Sequence, residues 1–195
     1  MAVTKTVGVD AIRTLVEAGQ TDIGENRAQS IRDRSRELEG LPVRWHMIGR
    51  LQRNKVKYVV PTCAMIHSVD ALPLAEEIAR RADAAAPATC LLEVNVAGEA
   101  QKAGVAQDDA GRLAEQVAAL DGIRLAGLMT MAPLVDNSEE TRPVFAALRE
   151  LRDRINREAD LPRPLTELSM GMTQDYEVAV EEGATIVRIG SALFA

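Results

Sequence analysis

The chain has 195 residues, 47% of them hydrophobic, 27% charged and only 3% aromatic, with a net charge of -6 at neutral pH. That length fits one domain able to bury about 70% of its unfolded surface. The acidic balance and scarce aromatics exclude a general nucleic-acid binder, a base-stacking platform and a binder of anionic membranes.

Cys63 and Cys90 form no CxxC motif and sit in apolar runs, so they are expected to pack as small hydrophobes rather than form a disulfide framework or a zinc knuckle. There is no secretory leader, no run of about 18 apolar residues and no lipidation motif, and the expectation is a cytoplasmic protein. The arginines 27, 32, 34 and 36 lie among acidic residues on a helix and read as a solvated face.

Apolar extended runs alternate with helical ones from end to end. Ala2-Val3 starts the first strand, which stops at Lys5. Asp10 caps a helix carrying Ile12, Leu15, Val16 and Ala18 that Gly19 stops. Thr21 to Gly24 is a short strand ending at Glu25-Asn26, followed by a polar helix to Glu39. Strand Val43 to Ile48, a short helix Gln52 to Val59 and strand Ala64 to His67 come next, then a helix over Ala71 to Ala85. The clearest strand is Thr89 to Val96, which leads through a glycine-bearing loop, Ala97 to Gly104, into helix Asp108 to Leu120.

Strand Ile123 to Met129 precedes helix Ser138 to Glu158, where Phe145, Leu148, Leu151 and Ile155 recur at helical spacing. Strand Leu165 to Met170, a turn at Gly171 to Thr173 and helix Gln174 to Glu182 lead to the last strand, Thr185 to Ile189. Eight strands separated by helices predict a single (β/α)8 barrel in preference to an open doubly wound sheet, since no GxGxxG follows any strand. Seven helices for eight strands leave one missing, so a helix preceding Ala2 is expected to be lacking.

In such a barrel the chemistry sits at the carboxyl ends of the strands. If the chain closes, the first and last strands are neighbours, and Lys5, Arg188 and Ser191 share one mouth. Those ends hold no cluster of His and carboxylate at metal spacing, and His46 and His67, the only histidines, have no ligand partner nearby in sequence. A serine-nucleophile elbow, GxSxG, is absent as well. Two features suit a phosphate: Thr173 at an expected helix start, and Gly190-Ser191, where backbone amides stand beside a hydroxyl. A phosphate site beside a strand-end lysine suits pyridoxal phosphate.

The sequence resembles the pyridoxal phosphate homeostasis protein family, related to the barrel domain of alanine racemase. The resemblance is carried by Ala2 to Thr6, Gly24-Glu25-Asn26, Trp45 to Lys55, His67 to Asp70, Glu93 to Val96, Gly127 to Thr130, Leu168 to Asp175 and Val187 to Ser191, and it spans the chain. It implies an alanine racemase N-terminal-domain type of barrel that holds pyridoxal 5'-phosphate as a Schiff base on Lys5 and buffers or supplies it inside the cell. Carried over by position, Arg188 faces the pyridine nitrogen and Asn26 lies near the ring. Thr173, Gly190 and Ser191 hold the phosphate, while Ser169 and Met170 line the pocket.

The family more often has serine at the position of Thr173, threonine at that of Ser191 and another residue, often His, at that of Arg50; the first two swaps keep a hydroxyl. Expected partners are the cofactor and pyridoxal phosphate-dependent apoenzymes, with no nucleic acid, membrane or metal, and a monomeric state. The alternatives are a small pyridoxal phosphate-dependent amino-acid racemase and, third, a barrel enzyme without this cofactor. An arginine cannot accept a proton in practice, so opposite the ring nitrogen it leaves a weak electron sink. The two tyrosines, Tyr58 and Tyr176, are expected on outer helices rather than as a second base.

Overall fold

The strands turn apolar side chains toward the helices that cover them, as strands of a helix-wrapped barrel must. The computed structural model describes residues 1–98 and 103–194. Its strands are β1 (Ala2–Val3), β2 (Asp22–Glu25), β3 (Arg44–Met47), β4 (Cys63–Val69), β5 (Ala88–Asn95), β6 (Val105–Ala106), β7 (Ile123–Met129), β8 (Glu167–Met172) and β9 (Ile186–Arg188). Its α-helices are α1 (Val9–Glu17), α2 (Ala28–Glu37), α3 (Leu72–Arg81), α4 (Gln107–Ala118), α5 (Arg142–Glu158) and α6 (Tyr176–Glu181). The strands pair in parallel in the order β1-β2-β3-β4-β5-β7-β8-β9.

The seam between last and first strand is joined by the bridging pair Ala2 and Ile189. Val3 N donates to Ile189 O at 2.7 Å, Ile189 N to Met1 O at 3.1 Å, and the Met1 nitrogen to Val187 O at 3.1 Å. The expected (β/α)8 barrel is therefore the observed architecture.

Outside the barrel, Ile23, Trp45, Met47, Leu92, Leu168 and Met170 join Ile12, Ile31, Ile78, Phe145 and Leu148 of the helices in one continuous core. Each such side chain contributes roughly 1.5–3 kcal/mol by leaving water. Inside the barrel the apolar part is small, Leu91, Ala126 and Met129 with Met65 against them. The rest of the interior is polar and includes buried His46, His67, Ser169 and Arg188. Cys63 and Cys90 are unpaired, and burial pushes the Cys90 thiol up to about 12, in keeping with a packing role.

Several boundaries differ from the sequence reading for local reasons. The expected helix over 52–59 is a 3₁₀ helix, Arg53–Tyr58, and Ser138–Thr141 is a 3₁₀ turn ahead of α5. Helix α3 stops at Arg81 rather than Ala85, because the Asp83 carboxylate accepts from Ala85 N and its carbonyl from Ala86 N, a turn that competes with the helix. Residues 99–102 of the loop expected over 97–104 lie outside the described residues, and β6 after it was not anticipated.

Strand β8 runs on to Met172, with Gly171 at φ +87°, where a Cβ would come within 2.5 Å of the Ala179 Cβ. Helix α6 starts only at Tyr176, since the Asp175 carboxylate accepts from Met172 N at 2.6 Å and shapes a turn first. Among the described residues, no helix is long and apolar enough to cross a membrane.

Candidate functional site

A cavity of about 540 Å³ opens at the carboxyl ends of the strands, and Lys5, Asn26, Thr173, Arg188, Gly190 and Ser191 all line it. The sequence places them in four separate stretches; closing the seam brings them together. Lys5 leaves β1 exposed to the cavity, and among the described residues its amine has no hydrogen-bond or ion-pair partner.

The turn that carries Lys5 is fixed from outside. Thr4 N donates to Gly24 O at 3.1 Å and Val7 N to Thr4 O at 3.2 Å. Arg34 on α2 donates to Thr4 O at 2.8 Å, to Val7 O at 2.7 Å and to the Glu25 carboxylate, which also accepts from the Thr4 hydroxyl at 2.5 Å. Arg34 is thus no part of a solvated face, a correction to the sequence reading. Its partners are backbone carbonyls distant in sequence that helical spacing cannot reveal. Arg32 does stay on the surface, paired with Asp33 and lying 4.9 Å over the Tyr58 ring.

Across the cavity Arg188, at the end of β9, is 6% exposed. One guanidinium nitrogen donates to Ser169 Oγ at 2.8 Å and another to Thr130 O at 2.9 Å, which leaves further N–H groups for the cavity. Burial pushes its pKa down to about 10, with Asp175 and Glu93 opposing, so the group remains a cation at neutral pH.

At the third corner the turn after β8 faces the turn after β9. The Thr173 hydroxyl accepts from Gly190 N at 3.2 Å. Because α6 starts three residues later and has only six residues, Thr173 is not at a helix start as expected. The polar groups at this corner are hydroxyls and turn amides rather than a helix N-terminus. A Cβ at Gly190 would meet nothing nearer than Val3, at 3.6 Å, so the protein's own packing does not demand glycine there. Asn26 is held close to Gly49, where a Cβ would lie 2.4 Å from Asn26 O.

Two expected residues do not line the cavity. Ser169 is fully buried one layer beneath it, bonded to Arg188. Met170 points the other way, into the core between sheet and helices, because neighbours on a strand face opposite sides.

Sequence reasoning missed Glu93 as a cavity residue. This carboxyl on β5 is 7% exposed. Burial, with Asp70 adding to it and Arg188 and Arg50 opposing, pushes its pKa up to about 7. The available signal was one acidic residue inside an apolar strand, two positions from Leu91 and Asn95 and so on their barrel-facing side. Arg50 lines the same cavity. Neither Tyr58 nor Tyr176 does, and the described residues contain no cluster fit to hold a metal ion.

The family model of the alanine racemase N-terminal domain matches residues 1–195. The pyridoxal phosphate homeostasis protein of Aquifex aeolicus is 45% identical over 195 residues, 100% of this chain and 85% of that protein. The chain belongs to the pyridoxal phosphate homeostasis protein family. The family protein from Pseudomonas aeruginosa is 42% identical over 195 residues, covering 100% of this chain and 82% of that one. Among solved structures, PipY of Synechococcus elongatus PCC7942 with pyridoxal phosphate bound superposes with a TM-score of 0.90 at 36% identity, over 100% of this chain and 91% of PipY.

Proposed function

We propose that the protein binds pyridoxal 5'-phosphate in the cavity at the seam and serves its homeostasis, holding the cofactor and passing it on. The observation that carries this reading is the Lys5 amine, without a partner among the described residues, in one cavity with buried Arg188 and the Thr173–Gly190 corner. The donor set fits the group: a primary amine, a cation held by two neutral acceptors, and two hydroxyls beside turn amides. The volume fits a small cofactor as well. The family relationship and the cofactor named for PipY support the same assignment.

Bound there, the cofactor supplies an aldehyde with which a primary amine condenses. Lys5 presents that amine, and Arg34 keeps its turn in place. Of the residues that line the cavity, Arg188 would donate toward the ring nitrogen, Asn26 would lie near the ring, and Thr173, Gly190 and Ser191 would hold the phosphate. Ser169 holds Arg188, and Met170 supports the strand from its outer face. Because Arg188 stays charged and can only donate, it keeps a proton off the group opposite and disfavours carbanion chemistry.

No tyrosine among the described residues lines the cavity as a second base, which favours holding over turnover. Apoenzymes that receive the cofactor, a monomeric state and a cytoplasmic location belong to this proposal. The second reading, an amino-acid racemase, keeps the same amine and needs a second proton-transfer group.

The test is borohydride reduction of the protein loaded with pyridoxal phosphate, followed by peptide mapping. A single label on Lys5 is expected; a label elsewhere, or none, overturns the assignment. Steady racemisation of a single-enantiomer amino acid would replace the carrier reading by the second one.

A further inference from the structure

The barrel interior contains a run of polar groups that the cofactor site does not explain. Asp22 Oδ1 lies 2.9 Å from His46 Nε2, His46 Nδ1 lies 3.0 Å from His67 Nε2, and His67 Nδ1 lies 2.9 Å from Ser169 Oγ, which accepts from Arg188 at 2.8 Å. The residues come from β2, β3, β4, β8 and β9 and cross the barrel from the amino-terminal end of β2 to the cavity. His46 is 4% exposed and His67 and Ser169 are fully buried.

The Asp22 end of this run sets the direction of its protons, and the Arg188 end is compatible with it. Arginine only donates, so Ser169 accepts from Arg188 and keeps its own proton available for His67 Nδ1; the Asp22 carboxylate at the other end, with both rings neutral, requires that it be sent there. His67 then carries its hydrogen on Nε2 and donates to His46 Nδ1. His46 in turn carries its hydrogen on Nε2 and donates to the Asp22 carboxylate, which can only accept. One arrangement satisfies every member: two neutral histidines, both with the proton on Nε2. The pKa directions agree. Burial lowers His67 well below 6.5, helped by His46 and Arg188, and burial lowers His46 with Asp22 opposing.

We infer that His46 and His67 are positioning residues for Arg188, forming with Asp22 and Ser169 a one-way chain of hydrogen bonds that fixes the Ser169 hydroxyl as an acceptor for the guanidinium. The inference deepens the cofactor reading, since it concerns the group placed opposite the ring. The histidines act through Arg188 and touch nothing in the cavity themselves. A proton added at His46 would reverse the chain: His46 would donate both ways, His67 would move its hydrogen to Nδ1, and Ser169 would accept from His67 and Arg188 together. The charged groups facing the histidine pair are Asp22 on β2, Arg44 on β3, Arg188 on β9 and the Met1 amine just ahead of β1.

The experiment is long-range proton–nitrogen NMR of the ¹⁵N-labelled protein without cofactor, so that its outcome is separate from that of the borohydride test. At neutral pH both rings are expected as neutral Nε2–H tautomers; a proton on Nδ1 of either ring, or an imidazolium, overturns the chain. On acidification His67 is expected to change tautomer at the midpoint where His46 gains its proton, because the pair titrates as a unit. Two unrelated midpoints count against the inference.

Variants supply the readout that a merely structural role would not move. In His46→Leu the His67 Nε2–H loses its acceptor, so His67 is expected to move its hydrogen to Nδ1, with a shift of the Arg188 side-chain nitrogen signals. His46→Asn, which keeps an acceptor near Nδ1, is expected to restore the original tautomer and the Arg188 signals. An unchanged His67 in a folded His46→Leu protein overturns the inference, and the titration of the unaltered protein decides it where that variant does not fold.

Discussion

Arg34 and Thr4 stand thirty residues apart, yet the Arg34 guanidinium donates to the Thr4 carbonyl at 2.8 Å, one residue before Lys5. The same side chain also ties Val7 O and the buried Glu25 carboxylate, so a helix outside the barrel sets the turn that presents the amine inside it. Arg34→Leu is expected to lower unfolding free energy by about 2–3 kcal/mol, as charged hydrogen bonds are lost and Glu25 is left uncompensated. Denaturant midpoints check this, and borohydride trapping at Lys5 should slow in parallel. Arg34→Lys should recover only part, because one ammonium cannot span three acceptors in fork geometry.

Lys5 itself contributes little to the fold, being exposed and without a partner among the described residues. Lys5→Ala is expected to change stability by no more than about 0.5 kcal/mol and to abolish the borohydride-stable label. Thermal unfolding beside peptide mapping separates the two effects; an unfolded variant contradicts the structure.

Two buried groups pull the pH dependence of stability in opposite directions. Folded protein retains a Glu93 proton that the unfolded chain releases, so stability falls as pH rises from 4.5 to about 7, by on the order of 3 kcal/mol in all. The folded His67 refuses a proton that the unfolded chain takes up, so its contribution is full above 6.5 and is lost as pH falls below it. Glu93→Gln should flatten the decline between pH 4.5 and about 7, and His67→Gln the loss below pH 6.5, read from unfolding free energies across the pH range.

The Thr173 hydroxyl holds the Gly190 amide and faces the cavity beside Ser191. Thr173→Ala is expected to weaken pyridoxal phosphate binding on the order of tenfold, about the worth of one hydrogen bond to a charged group. Pyridoxal, which lacks the phosphate, should be affected much less. Equal losses for both compounds would move the anion away from this corner.

The strands and the barrel were legible because apolar runs such as Cys90 to Val94 and Thr185 to Ile189 alternate with amphipathic helices, a pattern that packing alone enforces. Lys5 and Arg188 were legible because they end strands that barrel closure makes neighbours. Placing both Ser169 and Met170 in the pocket ignored the two-residue period, under which one of them had to face the helices. The link between His46 and His67 was hidden for another reason. They sit on adjacent strands whose pairing slips between Trp45 and His46, and a register shift leaves no trace in residue spacing. Asp175 likewise delayed α6 through one side-chain bond to a backbone amide, which composition does not announce.

The joint between β9 and β1 rests on one bridging pair, whereas β5 and β7 are paired from Ala88–Ile123 to Glu93–Met129. Lys5 belongs to one bank of that joint and Arg188 to the other. Any molecule gripped by both spans the thinnest place in the cylinder like a rivet. Letting go of such a molecule and unfastening the cylinder are then two aspects of one movement, and amide exchange at Val3 and Ile189 should slow when the cavity is filled.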